Sequence, residues 1–193
     1  MKYQNQHVFK SKVAPQPGRL LLSDPHLNED FFERAAVLLV AHDATESFGL
    51  VLNHKSALLL SDIFEHMELD LPIFNGGPVA QEQLFYLHRF ASVSGATQVT
   101  EHLYFGGDWK EVLLQTHLLP KPHTHLRLFA GYAGWGAGQL NEELAERSWI
   151  CTSDFNDKLL LKEEPASLWK NCMLQQGPDL ALFAHFPVNV ADN

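Results

Sequence analysis

Apolar positions in this chain fall into short blocks punctuated by glycine, proline and charged turns, and two periods run through them. Residues 20–22, 36–42, 48–53, 84–90, 99–105, 126–130 and 149–152 read as strands, each apolar, β-branched or aromatic at intervals and bounded by turn residues. Strands 36–42 and 48–53 read as neighbours joined by the polar loop DATES. A helical period appears elsewhere. Ser61 suits the N-cap of a short helix, SDIFEHM, that must end before Pro72. Asp108 and Glu111 have capping-box spacing, and Trp109, Val112, Leu113 and Thr116 then share one helix face. Leu140 and Leu144 recur at helical spacing, with Glu143 four residues before Arg147 in the favourable order for an ion pair. Pro165 suits a first helical turn, Leu168, Trp169, Cys172 and Met173 form an apolar face, and Gly177 suits the closing cap. Strands and helices alternate irregularly, which predicts α+β with a mixed sheet rather than a regular parallel wrap.

Composition narrows the function classes. With 193 residues and 46% hydrophobic content, the chain can bury a core of its own. The run AAVLLVA is far shorter than the roughly 20 residues that cross a bilayer, and the N-terminus has no apolar signal region, so a cytoplasmic location is expected. Cys151 and Cys172 lie in no zinc or redox spacing and read as buried reduced thiols. The net charge of −9 is uneven: residues 1–19 hold four basic side chains and no acid, while residues 20–193 carry −13. Residues 1–17 therefore read as a basic, flexible arm and 18–193 as one domain. An acidic body is a poor match to phosphate backbones, so nucleic acid is a disfavoured partner.

The segment GYAGWGAGQL, residues 131–140, tests whether the chain binds a nucleotide. A dinucleotide fingerprint would need a third glycine where Asn141 stands, and a P-loop would need Lys followed by Ser or Thr where Gln139 and Leu140 stand. Glu142 and Glu143 in the following first turn would repel a phosphate. The glycines are expected to let the backbone bend and pack closely against Tyr132 and Trp135, with a ligand loop as the alternative.

GYAGWGAGQL followed by an acidic helix and Trp149 resembles the signature of the AlgH/YqgE-like proteins, a bacterial family. The resemblance also includes GRLLLSDP at 18–25, His42 after an apolar strand, GLVLN at 49–53, NGGPV at 75–79, LFYLH at 84–88 and Arg127, so it spans about residues 18–150. The basic arm lies outside it, and the end LALFAHFPVNVADN departs from the family's small-residue tail. The resemblance implies an α+β fold whose mixed, partly bifurcated sheet curls into a small barrel flanked by helices. The family's usual label is transcriptional regulator. Helix-pair DNA readers need adjacent helices, however, and here strands are expected to separate every convincing helix.

Eleven histidines raise the question of a metal. His123 and His125 alternate, and His42, His54, His88 and His102 lie on or near strands, but no HExxH is present and no carboxylate stands at ligand spacing. Neither a metal nor a cofactor is expected. There is no GxSxG elbow, so a hydrolase would have to be built from Ser23, His42 and a further acid. The candidate ligand or partner face comprises Ser23, His42, Asn53, Asn75, Gly76, Gly77, Tyr132, Trp135 and Gln139, with capping and turn hydrogen bonds as the competing role. The functional expectation is a non-enzymatic regulatory or adaptor domain that binds a protein or small molecule. The alternatives are a hydrolase or transferase and a DNA-binding regulator.

Overall fold

The computed structural model describes residues 9–27, 31–64 and 69–186. Among the described residues ten strands pair: β1 (Leu20–Ser23), β2 (Ala36–His42), β3 (Glu46–Val51), β4 (Lys55–Leu59), β5 (Pro72–Asn75), β6 (Val79–His88), β7 (Thr97–Gln98), β8 (Tyr104–Phe105), β9 (Leu126–Gly136) and β10 (Trp149–Thr152). Five helices accompany them: α1 (Leu60–Ile63), α2 (Trp109–His117), α3 (Gln139–Ala145), α4 (Pro165–Leu174) and α5 (Pro178–Ala181). The main path runs β10-β1-β2-β3-β9-β6-β8-β7, and β5 joins β9 to β4 off that path. Every pairing is antiparallel except β5 with β9, which makes the sheet mixed.

The sheet forks at β9. One edge of β9 pairs β6 along most of its length, while the other pairs β5 through Leu128–Ala130 and then β3 through Ala133–Gly136. The fork matches the expected bifurcation, but the expected barrel is not closed. Among the described residues no ladder joins the terminal strands β10 and β7. Closure needs long, consistently staggered edges, and β7 offers only two residues.

Three cores result. One, on the face that includes Leu20, Leu22, Leu38 and Phe129, is covered by α4, which supplies Leu168, Trp169, Cys172 and Met173. The opposite face, with Leu21, Val37, Leu39 and Trp135, packs against Leu140 of α3. A third holds Ile73, Leu126 and Leu128 against Val112 of α2.

Local predictions succeed where one side chain decides them and shift where a tertiary partner intervenes. Asp108 caps α2 by accepting from the Lys110 and Glu111 amides at 2.8 and 3.1 Å, but Glu111 turns away to take the Ser94 amide and hydroxyl. The expected strand over 99–105 is reduced to β8, because the Asp157 carboxylate satisfies the Thr100 hydroxyl and the His102 amide of the preceding loop. Ser61 lies inside α1, not at its cap, and donates to Asp70; residues 65–68 of that expected helix lie outside the described residues. Gly177 precedes α5, and α4 ends on Gln175, so α4 and α5 follow one another without a strand between them. Of the expected arm, residues 1–8 lie outside the described residues, whereas residues 9–17 run along the body and bury Phe9.

Candidate functional site

β9 organises the region that the sequence singled out. Phe129 faces the α4 side of the sheet; so does Tyr132, three residues later, where strict alternation would turn it away. The residue that resets the alternation is Gly131, with φ +72, opposite a register shift in β6 between Val79 and Leu84. The extra residues of this irregularity lie on β6, between Val79 and Leu84, and the positive φ at Gly131 on β9 favours a residue without a Cβ. The 75–77 turn crosses at the same point: the Gly76 amide donates to the Ala130 carbonyl, and a Cβ on Gly131 would stand 2.6 Å from the Gly77 carbonyl. The NGG turn and the glycine cluster are therefore two sides of one backbone crossing. The predicted bend is a positive-φ break at Gly131 followed by a reversal at Gly138 into α3.

Beyond this break, successive β9 side chains serve opposite faces. Trp135, 4% exposed, points into the α3 side, where its indole and that of Trp149 both donate to Oε2 of Glu143 at 2.8 Å. The other oxygen, Oε1, accepts from Gln139 Nε2 at 2.9 Å, and Gln139 Oε1 takes the Gly136 amide. Phe32 completes an aromatic cluster with both indoles. This network corrects the expected Glu143–Arg147 pair, since two indole donors and an amide occupy the carboxylate.

Tyr132 points the other way. Its ring lies 4.6 Å from that of Phe48 and 5.6 Å from that of Phe85, and Phe105 stands 5.4 Å from Phe48. The four rings come from β3, β9, β6 and β8, consecutive strands of the sheet. All four are partly exposed, whereas Leu20, Leu22 and Leu38 on the same face are fully buried. Val79, 38% exposed, lies opposite Tyr132 and extends the apolar surface. Gly134, opposite Phe48, leaves room for the Tyr132 ring to lie against the strand.

The polar candidates do not assemble into one face. Ser23 is fully buried and accepts from the Ala35 amide at 2.8 Å. Asn53 accepts from the Ala36 amide and donates to the Arg34 carbonyl. Both therefore fix the chain as it enters β2, the competing role anticipated for them. His42 ends the same strand, roughly 20 Å away at the usual rise per residue. Its Nδ1 lies 2.7 Å from Ser47 Oγ, so the Ser23–His42 arrangement is not formed. Gly76 and Gly77 are buried in the crossing, Asn75 and Gln139 are exposed, and Tyr132 and Trp135 stand on opposite faces. Phe48, Phe85 and Phe105 were missed by sequence reading; the signal was an aromatic in each of FGLVLN, LFYLH and YFGG, pairable only once strand order is known.

Burial shifts several of the other titratable groups. Burial lowers the pKa of His88, whose Nε2 donates to the Gly106 carbonyl at 2.9 Å and whose Nδ1 accepts the Phe90 amide. His54 is likewise lowered by burial. Burial pushes Cys151 up to about 11 and Cys172 to about 12, so neither is a ready nucleophile. Arg127, lowered by burial to about 10, donates to the Leu52 and Leu161 carbonyls and lies over the Phe74 ring. Among the described residues no three His, Cys, Asp or Glu side chains come together to hold a metal, and no helix is long and apolar enough to cross a membrane.

Comparison with known proteins places this arrangement. A protein from Corynebacterium diphtheriae, 22% identical, shares the fold with a TM-score of 0.77 over 96% of this chain and 100% of its own. The AlgH protein from Pseudomonas aeruginosa is similar with a TM-score of 0.67 at 26% identity, covering 92% of this chain and 98% of that one. A UPF0301 protein of Bacteroides thetaiotaomicron is 33% identical over 93% of this chain and 94% of its own length. One from Streptomyces avermitilis is 36% identical over 92% and 95%. The family model described as AlgH-like matches residues 20–181, from β1 through α5, and on these grounds the chain belongs to the AlgH-like family.

Proposed function

We propose that this chain is a regulatory or adaptor domain that acts by binding a partner, and that the Phe48–Phe85–Phe105–Tyr132 surface is where it binds. The observation that carries this reading is the partial exposure of four mutually packed rings on consecutive strands. Clustered aromatics supply large apolar contact area at low entropic cost, and they dominate binding energy where they are rigid. The rings brace one another and rest on the glycine crossing, so little ordering remains to be done on contact. A partner with an apolar or aromatic segment fits this surface, and the acidic body favours one that also carries basic residues.

The test is native mass spectrometry of protein purified gently from a bacterial cytoplasm, followed by hydrogen exchange on any complex found. The expected result is a retained partner that slows exchange in β6 and β8 and is lost in Phe85→Ala. A partner held equally by that variant would reject the assignment.

The 2.7 Å contact between His42 and Ser47 favours a second reading, a hydrolase or transferase with Ser47 as nucleophile and His42 as base. It predicts turnover, in a broad ester and acyl-transfer screen, that Ser47→Ala abolishes. Activity surviving that substitution would end it.

A further inference from the structure

Arg34, Arg89 and Arg127 are drawn into the body of the fold, and two of them are well supplied with acceptors. Arg127 donates to the Leu52 and Leu161 carbonyls, and Arg89 donates to those of Thr124, Asp157 and Lys158. Arg34 differs. Its Nη2 donates to the Phe186 carbonyl, but its Nε is enclosed and, alone among the buried side-chain nitrogen and oxygen atoms of the described residues, has no hydrogen-bond partner. Among the described residues no carboxylate lies within ion-pair distance of it. An enclosed charged donor left unpaired is costly, and folded interiors seldom keep one without a role.

The backbone at Arg34 is also held against its preference. Its φ of +47 lies in the left-handed region, where a glycine would sit more readily. Polar side chains pin each residue from 33 to 36. His54 Nε2 lies 3.1 Å from the Glu33 carbonyl, and Asn53 donates to the Arg34 carbonyl at 2.9 Å. The Ala35 amide donates to Ser23 and the Ala36 amide to Asn53, both at 2.8 Å. Trp169, 2% exposed and fixed by its own indole bond to the Ser23 carbonyl at 3.1 Å, presents its ring 5.2 Å from Arg34 Cζ. A strained residue that its surroundings over-determine is the usual mark of a ligand clamp.

We propose that Arg34 receives a small carboxylate-bearing ligand, whose two oxygens accept from Nε and Nη2 together. Trp169 covers one face of the guanidinium, so its donors point outward in its own plane, and the matching paired acceptor is a carboxylate or a phosphate. Shape and charge choose between them. Nε is enclosed while the residue as a whole is partly exposed, so the group that reaches it must be small and flat. A single guanidinium also balances one negative charge, in a chain that already carries −9. Nη2 has two hydrogens and can keep the Phe186 carbonyl while it closes the fork with Nε. None of these residues belongs to the Phe48–Phe85–Phe105–Tyr132 surface, and the site stands without it.

Titration of the isotopically labelled full chain with sodium acetate at constant ionic strength, following the arginine Nε–Hε cross-peaks, tests the site. The Arg34 signal, identified as the one missing from Arg34→Lys, should move downfield along a saturating curve while those of Arg89 and Arg127 stay in place. An Arg34 signal that does not move, or drifts linearly with the other arginines, overturns the proposal. Inorganic phosphate bound there as tightly as acetate overturns the choice of a carboxylate. Should exchange with water erase the signal, urea unfolding of Arg34→Gly carries the test, because glycine suits the backbone at this position. Acetate should raise the unfolding midpoint of the unaltered chain more than that of the variant, since only the unaltered chain holds the ligand. Equal shifts in the two chains, or none in either, overturn the site.

Discussion

Two aromatic clusters stand back to back on β9 and share its backbone, yet they have opposite fates. The Trp135–Trp149 cluster is sealed: both indole donors converge on one oxygen of Glu143, and α3 closes over them. The Phe48–Phe85–Phe105–Tyr132 cluster is held by ring packing, and its rings remain partly exposed. A sealed cluster around a half-buried, hydrogen-bonded carboxylate stabilises the fold and makes one geometry unique, whereas an open cluster leaves apolar area for another molecule. The segment GYAGWGAG is thereby divided: Trp135 belongs to the sealed cluster that holds the fold, and Tyr132 to the surface proposed for recognition.

The largest effect should come from the sealed side. Trp135→Ala removes a buried indole and strands part of Glu143, and it should cost about 4 kcal/mol in urea unfolding. Next is Glu143→Ala, which leaves two buried N–H donors unpaired and should cost about 3 kcal/mol without changing partner affinity. A loss of affinity at unchanged stability in either variant would break the division.

On the open side the order reverses. Phe85→Ala should cost about 2 kcal/mol of stability, less than a core ring because solvent already reaches it, but should lower partner affinity roughly 30-fold. Calorimetric titration against the purified partner, with unfolding curves alongside, reads both.

Acid should loosen the open cluster first. His88 pairs with Tyr104 across β6 and β8, next to Phe105, and its Nδ1 accepts a backbone amide that an imidazolium could not satisfy. Burial holds its folded pKa below the ordinary 6.5, so the unfolded chain binds the extra proton. Stability is therefore intact above pH 6.5 and is lost as the pH falls from there toward the folded pKa. Unfolding curves between pH 5 and 7.5 should show the slope, to which the buried His54 also contributes, and His88→Gln should reduce it, by about 1 kcal/mol at most. Glu143→Gln should have a comparably small effect. Its amide oxygen can still accept both indoles while its NH₂ faces the Gln139 donor, so the cost should be about 1 kcal/mol, separating the acceptor from the charge.

Much of this was legible before any coordinates. The strand at 36–42, the Asp108 cap and the apolar face of α4 follow from local period and capping chemistry, and they appear where expected. The motif order carried the family and with it the mixed, forked sheet. The candidate face was less legible. Ser23 and Asn53 stand out in the sequence as polar residues near strand ends, and their partners in the fold are the backbone of residues 34–36. Glu143 was marked for Arg147 because helix spacing is local, whereas the indoles that claim it arrive from two different strands.

What the sequence determined by itself was therefore what is set within a turn or two of chain: element periods, caps, and the need for backbone freedom at the glycines. Tertiary structure alone decided which residues share a face. The positive-φ break at Gly131 reverses side-chain parity in β9, and such a change of parity exchanges the two sides of a strand. That reversal sends Tyr132 to the open aromatic surface and Trp135 to the sealed one, an outcome fixed by the crossing of two distant glycine turns.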